Sequence, residues 1–95
     1  MIYKLILKPR AENDLADSIE WYESRKRGLG KKFVNHLESY FEKISENPLN
    51  YQIQNPPFRE AYIQKFPFVI IYEVSESEVI VYSIFNTNRN PENKP

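Results

Sequence analysis

The alternation of apolar and polar positions divides the chain into a strand, two helices and three further strands. Residues 1–8 (MIYKLILK) place Tyr3, Leu5 and Leu7 on one face and Ile2, Lys4, Ile6 and Lys8 on the other. That spacing predicts a strand with one face partly in water. Pro9 ends it, because proline cannot donate to a strand ladder. From Arg10 to Lys26 the period changes. Ala11, Leu15, Ser18, Ile19 and Tyr22 fall on one helical stripe, while Glu12, Asp14, Asp17, Glu20 and Glu23 lie on the remaining arc. Arg25, Lys26 and Arg27 complement the dipole at the end of this helix, and Gly28 stands where a left-handed residue closes one. Gly30 to Asn47 carries a second stripe, Phe33, Leu37, Tyr40, Phe41 and Ile44, stopped by Asn47-Pro48. The short Gly28-Leu29-Gly30 link makes the two helices an antiparallel hairpin. Neither stripe is satisfied by the other helix alone, so both need a sheet.

After a proline-punctuated loop over residues 47–57 (NPLNYQIQNPP) come three apolar-rich runs, Arg59–Ile63, Phe68–Tyr72 and Val79–Ile84. Lys65-Phe66-Pro67 and Ser75-Glu76-Ser77-Glu78 supply turn chemistry between them, which predicts a β-meander. Phe68–Tyr72 is nearly continuous in β-branched and aromatic residues, as suits a strand covered on both faces, and it marks the spine of the sheet. The polar tail over residues 86–95 (NTNRNPENKP) is expected to fray after Pro91. The predicted architecture is α+β in the order β-α-α-β-β-β. A small, mostly antiparallel four-stranded sheet is covered by the helical hairpin, in one domain over residues 1–95.

Composition narrows the chemistry. The 95 residues contain no cysteine, which excludes disulfides and thiolate metal sites. His36 is the one histidine, at the border of its helix stripe, and the acids are dispersed, so the sequence offers no metal ligand set and implies no cofactor. No apolar run reaches ~18 residues and no cleavable small-residue site follows the N-terminal strand, which points to the cytoplasm and away from a membrane. Thirteen basic and thirteen acidic residues give zero formal charge, whereas a protein gripping phosphates over a large area carries a positive excess. Aromatics at 15% suit a compact core or an aromatic contact surface.

Six short motifs occur in order along nearly the whole chain: WYE at Trp21–Glu23, GLGKKF at Gly28–Phe33, Asn47-Pro48, Arg59 before the first meander strand, KFPFVIIY at Lys65–Tyr72, and N-R-N-P at Asn88–Pro91. In this the chain resembles the RelE/ParE family of type II toxin–antitoxin toxins, on the ParE-like, plasmid-stabilisation side. The resemblance implies a small sheet with a helical hairpin against it, and a cognate antitoxin whose flexible C-terminal segment wraps the toxin in a hetero-oligomer. It also implies one of two activities. ParE-like members bind DNA gyrase and stall it, whereas RelE-like members cut mRNA in the ribosomal A site without metal, through basic and tyrosine side chains.

The resemblance nominates residues. Arg59 matches the arginine that contacts the scissile phosphate in the nuclease branch; as a structural residue it would pair with Glu60 or Glu73 on an edge strand. Arg89 and Pro91 match a family pattern of histidine, two residues, arginine, one residue, proline, but Asn86 stands at the histidine position. RNA cleavage by 2′-hydroxyl attack needs titrating groups near neutral pH, and asparagine cannot titrate. Tyr62, Tyr72 and Tyr82 come from three adjacent strands, as packing residues or as acid–base or contact groups. Arg25, Lys26, Arg27, Lys31 and Lys32 crowd the hairpin tip, either complementing dipoles or meeting an acidic partner. Trp21 lies off its stripe, wedged between helices or exposed as an anchor.

These residues favour a gyrase-binding toxin neutralised by an antitoxin, with Arg59, Tyr72, Tyr82, Asn86 and Arg89 as contact residues. The alternative is a metal-independent mRNA endonuclease acting on the ribosome through Arg59, Lys65, Tyr72 and Arg89. A third reading is an inactive member that only binds its antitoxin.

Overall fold

In the computed structural model, which describes residues 2–88 and Lys94, strand β1 (Lys4–Leu7) ends one residue before helix α1 (Pro9–Arg25) begins. Proline suits that start, because the first helical N–H has no intrahelical acceptor to lose. Helix α2 (Leu29–Glu46) follows a turn in which Gly28 takes φ 86°, the left-handed conformation expected of it. The Glu23 carboxylate ties the turn together by accepting the N–H groups of Gly28 at 3.0 Å and Gly30 at 3.1 Å. At Gly30 the helices cross closely: a Cβ there would lie 2.9 Å from the Ile19 carbonyl oxygen.

After a single 3-10 turn at Pro48–Asn50, strands β2 (Ile53–Asn55), β3 (Phe58–Tyr62), β4 (Phe68–Ser75) and β5 (Glu78–Asn86) complete one sheet of order β1-β5-β4-β3-β2. The β4 spine is therefore its central strand. The sheet has five strands rather than the expected four, and it is mixed. The additional strand, β2, is a three-residue, exposed edge piece inside the proline-punctuated loop, too short to leave an alternation in the sequence. Pairs β2–β3, β3–β4 and β4–β5 are antiparallel, whereas β1 runs parallel to β5, with Lys4 opposite Glu78 and Leu7 opposite Val81. A parallel partner needs a long crossover, and everything between β1 and β5 supplies it.

The helical hairpin covers one face, called the inner face below. Ala11, Tyr22, Phe33, Leu37 and Ile44 from the helices are buried there against Phe68, Ile70, Tyr72, Val81 and Ile84. Tyr3, Leu5 and Leu7 pack on the same core, as their shared face predicted, and Tyr40 and Phe41 lie at its rim. Phe33 meets Tyr22, Phe66 and Phe68 with ring centroids 5.1 Å apart, so an aromatic cluster joins the hairpin to the meander. The opposite, outer face holds a smaller buried cluster of Val69, Ile71 and Phe85, with Phe58 packed beside it. Strand β4 is thus buried on both sides.

Candidate functional site

Strand parity sorts the nominated residues. Tyr72 shares its parity with Phe68 and Ile70 and points inward, and Arg59 lies opposite it in the β3–β4 register. Both side chains reach the segment after α2. The Arg59 guanidinium donates to the Tyr51 carbonyl at 2.6 Å, and the Tyr72 hydroxyl donates to the Pro48 carbonyl at 2.6 Å. Tyr72 is 0% exposed, and burial drives its phenol far above the ordinary range, an effect that the nearby Arg59 charge partly offsets. The pair therefore clamps the 48–51 segment onto the sheet. Tyr72 presents no atom at the surface.

Tyr62 and Tyr82 face outward. The Tyr82 hydroxyl donates to Glu73 Oε1 at 2.7 Å while its ring sits edge-on to Phe58 at 5.1 Å. The Tyr62 hydroxyl donates to Glu60 Oε1 at 2.8 Å, and the second oxygen of Glu60 holds the Lys94 ammonium at 2.7 Å. Donation to a carboxylate raises the phenol pKa of Tyr62 and of Tyr82.

A groove of about 510 Å³ lies between α1 and the far end of β5. Strand β1 stops at Leu7, whereas β5 continues to Asn86, so among the described residues the last stretch of β5 has no strand partner on that side. Asp14 takes over part of this edge: its Oδ2 accepts the Ser83 hydroxyl at 2.7 Å and the Ile84 N–H at 3.1 Å. Arg10 lies 3.9 Å from the same oxygen. Asn86 lines the groove and accepts the Asn88 N–H at 2.8 Å. Trp21, 52% exposed, forms one wall, with the Arg25 guanidinium 4.5 Å above its ring. In the sequence Asp14 falls on the polar arc of its helix, and no signal there marks it as an edge partner. Its acceptance partners lie 69 and 70 residues away.

The remaining nominated residues are scattered. Lys65 is exposed at φ 74° in the β3–β4 turn, and Arg89 lies outside the described residues. His36 bridges the hairpin to the meander, its Nε2–H donating to the Gln64 carbonyl at 2.6 Å. The five basic residues of the hairpin tip are all exposed. Among the described residues no group of histidine, cysteine and acidic side chains could hold a metal ion, and no helix is long and apolar enough to cross a membrane. Of the nominated residues within the described ones, the structure brings Arg59 to Tyr72 on the inner face, and Trp21 with Arg25 and Asn86 to the groove beside β5.

A helical hairpin laid on a mixed five-stranded sheet defines a small α+β domain. A solved chain titled "Chromosomal ParDE TA system from P. aeruginosa" has the same fold, with a TM-score of 0.77 at 17% identity over 90% of this chain and 96% of that one. A family model described as the ParE toxin of the type II toxin–antitoxin system, parDE, matches residues 5–91, and the chain belongs to that family. Comparison with curated protein sequences gives no match.

Proposed function

We propose that this ParE-family chain poisons DNA gyrase by binding it, in the cytoplasm, and that a cognate antitoxin holds it inactive. The observation that carries this reading over mRNA cleavage is the inward orientation of Arg59 and Tyr72. Cleavage by 2′-hydroxyl attack needs a titrating acceptor and donor beside the phosphate. Here the tyrosine is sealed under Pro48, the guanidinium is committed to the Tyr51 carbonyl, and Asn86 stands where the resemblance implies histidine. Zero net charge fits a protein target better than a polyphosphate one.

The end of β5, where among the described residues Asp14 caps the edge only at Ser83 and Ile84, gives the antitoxin a place to dock. An extended segment pairing with that edge would gain main-chain hydrogen bonds, and the groove under Trp21 would select its side chains. Asn86 lies on this path, while Tyr82 faces the opposite side of the sheet. Inducing the chain without antitoxin should arrest replication and provoke DNA damage while mRNA 5′ ends stay unchanged. New 5′ ends at fixed codon positions would overturn the reading in favour of the ribosome-dependent nuclease.

A further inference from the structure

The outer face of the sheet has no helix over it, yet it carries two carboxylates held in the same way. Tyr62 donates to Glu60 and Tyr82 donates to Glu73, each by a hydroxyl to Oε1. Glu60 lies opposite Ile71 in the β3–β4 register, so Glu73 is its diagonal neighbour, roughly 7–8 Å away at the backbone. The Glu60 side chain is only 6% exposed, and a carboxylate at that depth is costly without a cation. The chain supplies one from outside the sheet: the Lys94 ammonium reaches Oε2 at 2.7 Å, with its side chain still 28% exposed. Hydrogen bonding to Glu60 is the main influence that raises the Lys94 pKa, so the lysine stays charged there. Among the described residues Glu73 has no ion pair, so of two matching positions one is filled and one is open.

We propose that the Glu60–Tyr62 and Glu73–Tyr82 pairs form a binding surface for an extended basic segment of a partner protein, with Lys94 occupying the first position until that segment displaces it. The spacing fits: on an extended strand, side chains at i and i+2 lie on one side about 6.6 Å apart, close to the diagonal separation of the two carboxylates. Lysine or arginine at those two places reaches both acids. The rings of Phe58, Tyr62 and Tyr82 offer apolar and π surface to the aliphatic stems and the cationic heads. This surface lies on the opposite side of the sheet from the Arg59–Tyr72 clamp, and it does not depend on which target the toxin has.

The test uses the whole chain and the capped tripeptide acetyl-Lys-Thr-Lys-amide, followed by backbone amide shifts, with acetyl-Gln-Thr-Gln-amide as control. Saturable shifts should centre on Glu60 and Glu73. Vacating the first position by Lys94→Ala should tighten binding about tenfold, and Glu73→Gln should weaken it about tenfold, as expected for a charge-assisted contact. The glutamine peptide should not bind. Equal affinity for wild type and Lys94→Ala, undiminished affinity for Glu73→Gln, or no saturable binding to the Lys94→Ala chain would each overturn the proposal. Lys94 and Glu73 both lie outside the main core, and unchanged amide shifts of the helices and inner-face residues are the check that each variant keeps the fold.

Discussion

On the face of the sheet under the helices, Tyr72 is buried and its hydroxyl is committed to a backbone carbonyl. On the other face, Tyr62 and Tyr82 donate theirs to the carboxylates of Glu60 and Glu73. All three tyrosines sit on neighbouring strands of one meander. Strand parity alone separates them, because alternate side chains of a strand go to opposite faces. The inner face is a continuous apolar and aromatic core in which a polar group survives only with an internal partner. The outer face mixes a small apolar cluster with tyrosine–carboxylate pairs. In this molecule the inner tyrosine has a role in folding, and the surfaces proposed for recognition are the outer tyrosines and the β5 edge.

The comparison is tested most severely by adjacent residues of β4 that are both buried but face opposite ways, Ile70 inward and Ile71 outward. Truncating a buried isoleucine to alanine costs about 2–5 kcal/mol, depending on how far the surroundings can collapse. Ile70→Ala, enclosed by both helices and the sheet, should fall toward the upper end, and Ile71→Ala, in a cluster with solvent close by, toward the lower. Urea denaturation of both variants checks this. An equal or larger loss for Ile71→Ala would mean that the outer face is packed as closely as the inner one.

Much of this arrangement was legible in the sequence, and the exceptions share a cause. The two helical stripes, the left-handed Gly28 and the turn around Glu76-Ser77 follow from local periodicity and turn chemistry, which a sequence displays directly. Strand β2 left no pattern because three exposed residues between prolines cannot show an alternation. The parallel pairing of β1 with β5 was hidden because the two strands lie at opposite ends of the chain. Asp14 read as one more acid on a polar arc, and only the unequal lengths of β1 and β5 give it an edge to cap. For Arg59 and Tyr72 the signal was present but masked. Phe68–Tyr72 is apolar at every position, so its alternation cannot be read from polarity, although the parity of Phe68, Ile70 and Tyr72 would have placed the tyrosine inside.

A smaller effect separates the tyrosines themselves. Tyr72→Phe strands the buried carbonyl of Pro48 without its donor, which should cost about 1–3 kcal/mol. Tyr62→Phe removes a bond at a position that is 56% exposed, where water and Lys94 still serve Glu60, and should cost less than about 1 kcal/mol. Thermal midpoints of the two variants provide the measurement. A greater loss for Tyr62→Phe would mean that the outer pair is structural.

The last effect is absent at neutral pH and grows only in alkali. The phenols of Tyr22, Tyr51 and Tyr72 are raised chiefly by burial, and those of Tyr62 and Tyr82 chiefly by donation to Glu60 and Glu73. Lys94 is raised by Glu60. In each case the folded chain holds its proton more tightly than the unfolded chain does. The contribution is therefore fully present below the ordinary value of 10.0 for tyrosine or 10.5 for lysine, and it is lost as pH rises through the folded values. A group that stays protonated in the fold but ionises when unfolded lowers stability by about 1.4 kcal/mol per pH unit. Tyr72, fully buried, should approach that slope, while the exposed Tyr62 should fall well short of it because solvent screens its surroundings. Urea unfolding at pH 9, about one unit below the ordinary tyrosine value, and again at intervals above it should show a flat stretch followed by a decline. Tyr72→Phe should flatten the decline, and Tyr62→Phe should leave it nearly unchanged. If Tyr62→Phe flattened it more, the outer tyrosine would be the better shielded of the two, and the contrast between the faces would be reversed.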